Sequence, residues 1–209
     1  MTCNNTTMLR FLDLLFPPRS AEEILRDVST DAFLGKAAPR LVADTRPETV
    51  GLLPFSAASV RAAIHEAKYH GSEFAFGLLS TVLADYLREA DDEFRKPLVV
   101  PVPLGKARRK ERGFNQTEEI ARRVARELGL PVDATLLVRT RETASQVSLP
   151  RGARLQNMRG AFSAAHPLDP AHTYIVIDDV ITTGATLQAA IDALTAAGAK
   201  HIVPLALAH

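Results

Sequence analysis

A short apolar run that leads into two aspartates and a hydroxyl-rich turn constrains the fold of this chain more than any other segment. Residues 174–177 read Tyr-Ile-Val-Ile, a pattern typical of a strand buried on both faces. The run stops at Asp178 and Asp179, and the chain then passes through Thr182-Thr183-Gly184-Ala185-Thr186 into a helix-like segment. The pattern predicts both carboxylates at the carboxyl end of a parallel strand, where open α/β sheets bind their ligands.

The turn from Thr182 to Thr186 has the chemistry of a phosphate site. Small residues allow backbone N–H groups and hydroxyls to surround a phosphate, and the N-terminus of the next helix adds a favourable field. Gly184 stands where the backbone must approach a ligand closely or adopt a positive φ. Carboxylates beside such a turn can accept hydrogen bonds from ribose hydroxyls. The segment therefore predicts a ribose 5-phosphate site, against the simpler alternative of an ordinary strand end followed by a helix cap.

The full string IVIDDVITTGATL resembles the motif with which phosphoribosyltransferases bind 5-phosphoribosyl-1-pyrophosphate (PRPP). Competing phosphate motifs, G-x-x-x-x-G-K-[ST] and G-x-G-x-x-G, are absent from the sequence. The resemblance implies that Asp178 and Asp179 are the catalytic residues and that Mg²⁺ accompanies PRPP. The PRPP-binding residues that it implies are Asp178, Asp179, Val180, Thr182, Thr183, Gly184, Ala185 and Thr186.

The order of predicted elements indicates an α/β fold with a mainly parallel, twisted sheet flanked by helices. Residues 1–54, which contain a helix-like start and an irregular stretch, are predicted to form an N-terminal segment, and residues 55–209 the main domain. Helices are predicted near 59–70, 73–89, 116–128 and 185–197. Strands are predicted near 98–102, 135–138, 174–177 and 202–207.

Positive charge is concentrated in the middle of the chain. The net charge is +1, but thirteen basic and only six acidic residues lie between Leu104 and Gly160, which favours an anionic ligand there. Lys106, Arg108, Arg109 and Arg112 are predicted to contact either pyrophosphate or nucleic-acid phosphates; a solvated basic loop is the alternative. Aromatic residues that could stack on single-stranded DNA are limited here to Phe114.

Further segments, from Phe55 to the C-terminus, resemble the ComF family. They are Lys68-Tyr69-His70-Gly71, Pro101-Val102-Pro103, Arg112-Gly113-Phe114-Asn115-Gln116, RTRETASQVSL with Gln146, Arg154 with Asn157, and Gly160-Ala161-Phe162. The resemblance implies a type I phosphoribosyltransferase-like fold and, in many members, a link to DNA uptake. It also implies a hood loop over PRPP that includes Arg139, Arg141, Gln146 and Arg154, for which an exposed hairpin is the alternative.

One departure from the family concerns metal. ComF proteins commonly carry an N-terminal zinc ribbon after a Leu-Leu-Phe-Pro-Pro-Arg string, but here that string is followed by Ser20, and Cys3 is the one cysteine in the sequence. A Cys₄ zinc site therefore cannot form, and the six histidines show no ligand spacing, so we expect no zinc and no other protein-bound metal. The residues of the ribbon region are expected to be degenerate.

Two functions remain open at this stage. The first is transfer of phosphoribosyl from PRPP to a nitrogen nucleophile of unspecified identity. The second is a non-catalytic competence protein that uses the fold to bind a nucleotide, single-stranded DNA or DNA-uptake partners. One cysteine and no apolar run of about 18 residues predict a cytoplasmic protein without a membrane partner. A homodimer is compatible with either function.

Overall fold

The computed structural model describes residues 19–90, 94–141 and 156–209. Its helices are α1 (Ser20–Arg26), α2 (Thr30–Leu34), α3 (Ala58–His70), α4 (Glu73–Glu89), α5 (Lys106–Arg112), α6 (Gln116–Leu128) and α7 (Ala185–Ala196). Its strands are β1 (Arg40–Val42), β2 (Thr49–Leu53), β3 (Pro97–Pro101), β4 (Leu137–Arg139), β5 (Phe162–Ala164), β6 (Thr173–Val180) and β7 (His201–Ala208).

A five-stranded sheet of order β1-β2-β7-β6-β3 forms the centre of the fold. β2, β7, β6 and β3 run parallel, and β1 pairs antiparallel with β2. β4 and β5 form a separate antiparallel pair. The predicted α/β architecture with a mainly parallel sheet is confirmed, and the carboxyl ends of β3, β6 and β7 meet at one edge.

Both faces of β6 are buried, which accounts for its uninterrupted apolar run. Ile175 and Ile177 pack into a core that includes residues of α3, α4 and α6. Tyr174 and Val176 pack into a second core that includes residues of α7 and of the β4–β5 pair. The helices thus cover the sheet on two sides and leave the carboxyl ends of the strands accessible to a ligand.

Residues 40–53, which the sequence assigned to the irregular N-terminal segment, contribute two strands to the central sheet. β2 lacks a visible alternation because most of its residues, Leu52 and Leu53 among them, are buried, so no polar face marks it as a strand. The division at residue 54 stays a prediction, but β2 lies hydrogen-bonded beside β7 in the same sheet. The helix predicted between Leu9 and Phe16 lies outside the described residues.

The basic segment after β3, for which the sequence predicted no helix, is helical. Lys and Arg have high helix propensity, and Gly113, with φ of 80°, ends α5 in the left-handed conformation. β6 also continues past the predicted end, through Asp178 to Val180. Among the helices of the described ranges, none is long and apolar enough to cross a membrane.

Candidate ribose-phosphate site

Asp179 lies near the end of β6 with its carboxylate fully engaged by the protein. Lys68 Nζ donates to Asp179 Oδ2 at 2.9 Å, and Gln116 Nε2 donates to the same oxygen at 2.6 Å. The backbone N–H of Val180 donates to Asp179 Oδ1 at 2.7 Å. Because α3 supplies Lys68 and α6 supplies Gln116, two helices from distant parts of the chain fix this carboxylate.

Lys68 and Asp179 each shift the pKa of the other in the direction that keeps both side chains charged. Burial alone would raise the pKa of Asp179, but the Lys68 ammonium and the hydrogen bonds outweigh it and hold the pKa below its usual range. Burial lowers the pKa of Lys68, yet the Asp179 charge more than compensates and the pKa lies above its ordinary value. Both side chains are therefore charged at neutral pH.

Asp178 has a different environment. Its Oδ1 accepts a hydrogen bond from the N–H of Asp179 at 2.9 Å, and its side chain borders the open space beyond the strand. Burial and then the adjacent charge of Asp179 raise the pKa of Asp178 to about 7. The two neighbouring carboxyls thus differ: Asp179 is a fixed anion, and Asp178 titrates near neutrality while facing a cavity.

The turn between β6 and α7 encloses a small space of about 20 Å³, bounded by residues 180–187 and Asp178. That is room for about one water-sized group. Gly184, with φ of 69°, is the N-cap of α7. A Cβ at Gly184 would lie 2.8 Å from the carbonyl oxygen of Asp44, so the loop between β1 and β2 supports the turn from behind.

A larger cavity of about 340 Å³, here called the polar cavity, adjoins this turn. Asp178, Asp179, Thr182 and Thr186 form one part of its wall, and its cationic side chains are Lys68, Arg108, Arg112 and Arg139. Its volume falls in the range usual for small-molecule sites. The arrangement can accommodate a ligand with hydroxyls at one point and several negative charges around it.

α5 divides its cations between two faces. Arg108 and Arg112, four residues apart on one helix face, are half-buried and line the polar cavity. Lys106 and Arg109 are exposed and outside the cavity lining, and Arg109 Nη1 lies 2.9 Å from Glu118 Oε2. Of the four basic residues predicted on this segment, the structure therefore brings two to the candidate site.

The predicted hood residues are only partly described. Arg139, at the end of β4, lines the polar cavity. Arg141 instead donates through Nη2 to the carbonyl oxygens of Asn157 and Arg159, each at 2.8 Å. Gln146 and Arg154 lie outside the described residues, so their assignment to the hood stays a prediction.

Lys68 and Gln116 are site residues that the sequence reasoning did not assign. Both stand in segments quoted for the ComF resemblance, but nothing local to either segment indicates that its partner is Asp179. The aspartate pair itself could have indicated such partners, because a carboxylate buried at a strand end requires a cation or strong hydrogen-bond donors. Two such donors adjoin it here.

His65, Glu66 and His70 come together on α3, with potential ligand atoms within 4.8 Å of one another. Arg19 already binds the buried Glu66 carboxylate, with Nε at 3.2 Å from Oε1 and Nη2 at 2.6 Å from Oε2. A cation would have to compete with the Arg19 guanidinium for this carboxylate. We interpret the cluster as an ion pair with neighbouring histidines.

A pH dependence of ligand binding follows from the environment of Asp178. Hydroxyl donors favour the ionised carboxylate, so the affinity for ribose 5-phosphate should rise about tenfold between pH 6 and pH 8, as a group with a pKa of about 7 loses its proton. Isothermal titration calorimetry over this range measures the effect. Asp178→Asn should retain only the dependence due to the ligand's phosphate, whose second pKa is near 6. Equal profiles for the two proteins would contradict this account.

The paired aspartates at the end of β6 and the turn into α7 have the arrangement that the sequence predicted for a phosphoribosyltransferase domain. Residues 116–208 match the family model of the phosphoribosyl transferase domain. Similarity to curated proteins extends upstream of this match and includes competence proteins F and ComFC.

The chain is 32% identical to DNA utilization protein YhgH of Salmonella typhimurium over 142 residues, 66% of this chain and 62% of that protein. It is 34% identical to competence protein F of Haemophilus influenzae over 106 residues, 50% of this chain and 46% of that protein. It is 32% identical to competence protein ComFC of Streptococcus pneumoniae over 130 residues, 62% of this chain and 56% of that protein. The chain thus spans about three fifths or less of the length of these relatives.

Among solved structures, adenine phosphoribosyltransferase of Leishmania tarentolae superposes with a TM-score of 0.38 and 16% sequence identity. The superposition covers 90% of this chain and 72% of that one. A superposition this loose carries no argument about function.

Proposed function

We propose that this protein binds PRPP with Mg²⁺ and transfers the phosphoribosyl group to a nitrogen nucleophile. The observation that carries the proposal is the convergence of Asp178, of Thr182 and Thr186 from the turn, and of three arginines on the polar cavity. These groups match the three parts of PRPP: a 5-phosphate, a ribose with two hydroxyls, and a pyrophosphate.

In this proposal, each part of the ligand has its own contacts. The turn and the N-terminus of α7 bind the 5-phosphate, and Asp178 accepts hydrogen bonds from the ribose hydroxyls. Arg108, Arg112 and Arg139 bind the pyrophosphate. Asp179 acts mainly as a positioning residue, because its oxygens already accept hydrogen bonds from Lys68, Gln116 and the Val180 N–H.

The reaction is a displacement at C1 of the ribose. The bond from C1 to the pyrophosphate oxygen breaks with its electron pair remaining on pyrophosphate, a bond forms from the nucleophile's nitrogen lone pair to C1, and the nitrogen releases a proton to solvent. Three arginines beside the leaving group offset the charge that accumulates there. The hard oxygen donors of Asp178 and the threonines suit Mg²⁺, which would supply further neutralisation of the pyrophosphate.

A second function is favoured by the exposed cations of α5 and by the names of the relatives. Lys106, Arg109 and Lys110 are exposed and do not line the polar cavity, which leaves them accessible to nucleic-acid phosphates. The relatives are described as DNA utilization and competence proteins. A non-catalytic cytoplasmic module that binds a nucleotide and single-stranded DNA or DNA-uptake partners, as a monomer or homodimer, is therefore the alternative.

Ligand-induced stabilisation tests the proposal. PRPP with Mg²⁺ at a hundredfold excess over Kd should stabilise the protein by about 2.7 kcal/mol, which raises the Tm of a chain this size by roughly 5–11 °C. Ribose 5-phosphate should act at higher concentration, and free ribose should not, because it lacks the phosphate. Asp178→Asn should reduce the shift, while Asp85→Asn, an exposed carboxyl on α4, should not.

Pyrophosphate release from PRPP across a panel of nitrogenous bases then separates the two functions. Release with at least one base supports the transferase. A Tm shift without release, together with salt-sensitive binding of single-stranded DNA, favours the non-catalytic alternative. No shift at millimolar PRPP in the unsubstituted protein would overturn the proposal.

A further inference from the structure

A cation–π contact joins Tyr69 of α3 to Arg112 of α5 at the wall of the polar cavity. The guanidinium carbon of Arg112 lies over the Tyr69 ring, 4.8 Å from its centroid. Of these two residues, both within the described ranges, only Arg112 lines the cavity. We propose that Tyr69 is a positioning residue that directs Arg112 toward a bound pyrophosphate without neutralising its charge. This inference rests on the proposed function, because that function assigns the pyrophosphate to Arg112 and two other arginines.

The packing of two helix ends brings Tyr69 and Arg112 together. Gly71 caps the C-terminus of α3, and a Cβ at that position would lie 3.3 Å from the Phe114 ring. Tyr69 precedes Gly71 by two residues, and Phe114 follows Arg112, the last residue of α5, by two. The close contact between Gly71 and Phe114 therefore holds the backbones of both partners at the same place.

The Tyr69 ring also has a neighbour on its own helix. His65 stands four residues earlier on the same face of α3, and the centroids of the two rings are 5.0 Å apart. Tyr69 is nevertheless 54% exposed, so it contributes little to the hydrophobic core. Its effect on Arg112 can therefore be measured with little change in the stability of the protein.

The contacts of Arg112 keep its charge available to a ligand. An aromatic face attracts a cation without carrying a net charge, so the Tyr69 contact does not neutralise the guanidinium. The other contact is also neutral, since Arg112 Nη1 donates a long hydrogen bond of 3.4 Å to Oε1 of Gln116. Lys68 offers the contrast, because its ammonium is paired with the Asp179 carboxylate. Arg112 is thus held by two uncharged groups and keeps its net charge for an anion.

The Gln116 amide also connects Arg112 to the aspartate pair. Its Nε2 donates to Asp179 Oδ2 at 2.6 Å, which leaves its Oε1 to accept from Arg112. The position of the guanidinium is thereby set relative to the end of β6, where the ribose is proposed to bind. An arginine that is already held in place loses less conformational freedom when an anion binds. Removing the Tyr69 ring should therefore weaken the binding of pyrophosphate.

Isothermal titration calorimetry with pyrophosphate and Mg²⁺, and separately with ribose 5-phosphate, tests the inference. Tyr69→Leu removes the aromatic face but keeps an apolar side chain of high helix propensity. The affinity for pyrophosphate should fall about fivefold, the equivalent of about 1 kcal/mol, and the affinity for ribose 5-phosphate should change less than twofold. Tyr69→Phe retains the aromatic face and should bind pyrophosphate within twofold of the unsubstituted protein.

A double-mutant cycle tests whether Tyr69 acts through Arg112. Arg112→Met should itself weaken pyrophosphate binding, because it removes a cation from the polar cavity. Adding Tyr69→Leu to Arg112→Met should then have no further effect on the affinity for pyrophosphate. A further fivefold loss in the Arg112→Met background would overturn the inference.

Phe74→Leu is the matched control, since Phe74 is a 49% exposed aromatic residue on α4 that does not line the polar cavity. It should leave both affinities unchanged. If Tyr69→Leu binds pyrophosphate as tightly as the unsubstituted protein, or loses affinity equally for ribose 5-phosphate, the inference is wrong while the proposed function stands. If the unsubstituted protein binds neither pyrophosphate nor PRPP, the proposed function fails first and this inference fails with it.

Discussion

Replacing Lys68 with methionine should lower the free energy of unfolding by about 3 kcal/mol at pH 7, because it leaves the Asp179 carboxylate without its cation. The side chains of Lys68 and Asp179 are 26% and 12% exposed, so the effect should lie at the lower end for a broken buried pair. Methionine retains most of the apolar stem, which confines the change to the charge. Urea denaturation measures it.

The sign of the pH dependence provides a second check. The depressed pKa of Asp179 means that the pair contributes stability above the unfolded pKa of about 3.9 and loses it as pH falls through the folded pKa. The stability difference between Lys68→Met and the unsubstituted protein should therefore shrink in acid.

Two comparisons isolate the Lys68 effect. Arg88→Met removes a pair with Glu127 whose side chains are 54% and 50% exposed, and it should cost less than about 1 kcal/mol. Combining Lys68→Met with Asp179→Asn removes both charges and should be less destabilising than Lys68→Met alone. If Lys68→Met lowers the free energy of unfolding no more than Arg88→Met does, the Asp179 carboxylate is stable without the Lys68 ammonium.

Gly184→Ala should be the most damaging small substitution in the candidate site. A left-handed φ costs an alanine about 1–2 kcal/mol. The new Cβ would also meet the Asp44 carbonyl oxygen at 2.8 Å, and relieving this contact should cost a further 1–3 kcal/mol or so. Since the turn must move, the Tm shift produced by PRPP or ribose 5-phosphate should be lost as well.

Gly129→Ala distinguishes the cost of backbone strain from the cost of the steric contact with Asp44. Gly129 also has φ of 69°, at the end of α6, but a Cβ there would have nothing within 4 Å. It should therefore show only the conformational cost and should keep ligand binding. Equal destabilisation by the two substitutions, measured by thermal and urea unfolding, would mean that the β1–β2 loop gives way and does not support the turn.

Local sequence signals predicted three of the four parallel strands, together with the aspartate pair and the turn of the candidate site. The sequence predicts the β6 run, the glycine after α6 and the Asn115 cap because each depends on neighbours in the chain. Asn115 accepts a hydrogen bond from the Thr117 N–H, as expected of a helix cap. Glu118 stands three residues after Asn115, the spacing of a capping box, but its carboxylate instead binds Arg109 and Arg122. The capping-box pattern considers only the first turn of the helix, and neither Arg109 nor Arg122 lies in that turn.

The unpredicted parts depend on contacts between distant segments. Lys68 is 111 residues from Asp179 in the chain, and Gln116 is 63 residues from it. The sequence could not predict that Arg108 and Arg112 line the cavity while Lys106 and Arg109 do not, because that prediction requires knowing that the basic segment is a helix. β2 was missed because a strand buried among other strands has no polar face to give it an alternating pattern.

The hydrogen bonds to Asp179 tie the formation of the site to the completeness of the fold. α3 and α6 each contribute one donor, and the ends of these helices are joined where Phe114 packs against Gly71 and Phe76. A partly folded chain in which either helix is detached would have a buried anion without its partners. The proposed ligand binding should therefore require α3, α6 and β6 to be docked together, because only then does Asp179 have both of its side-chain donors.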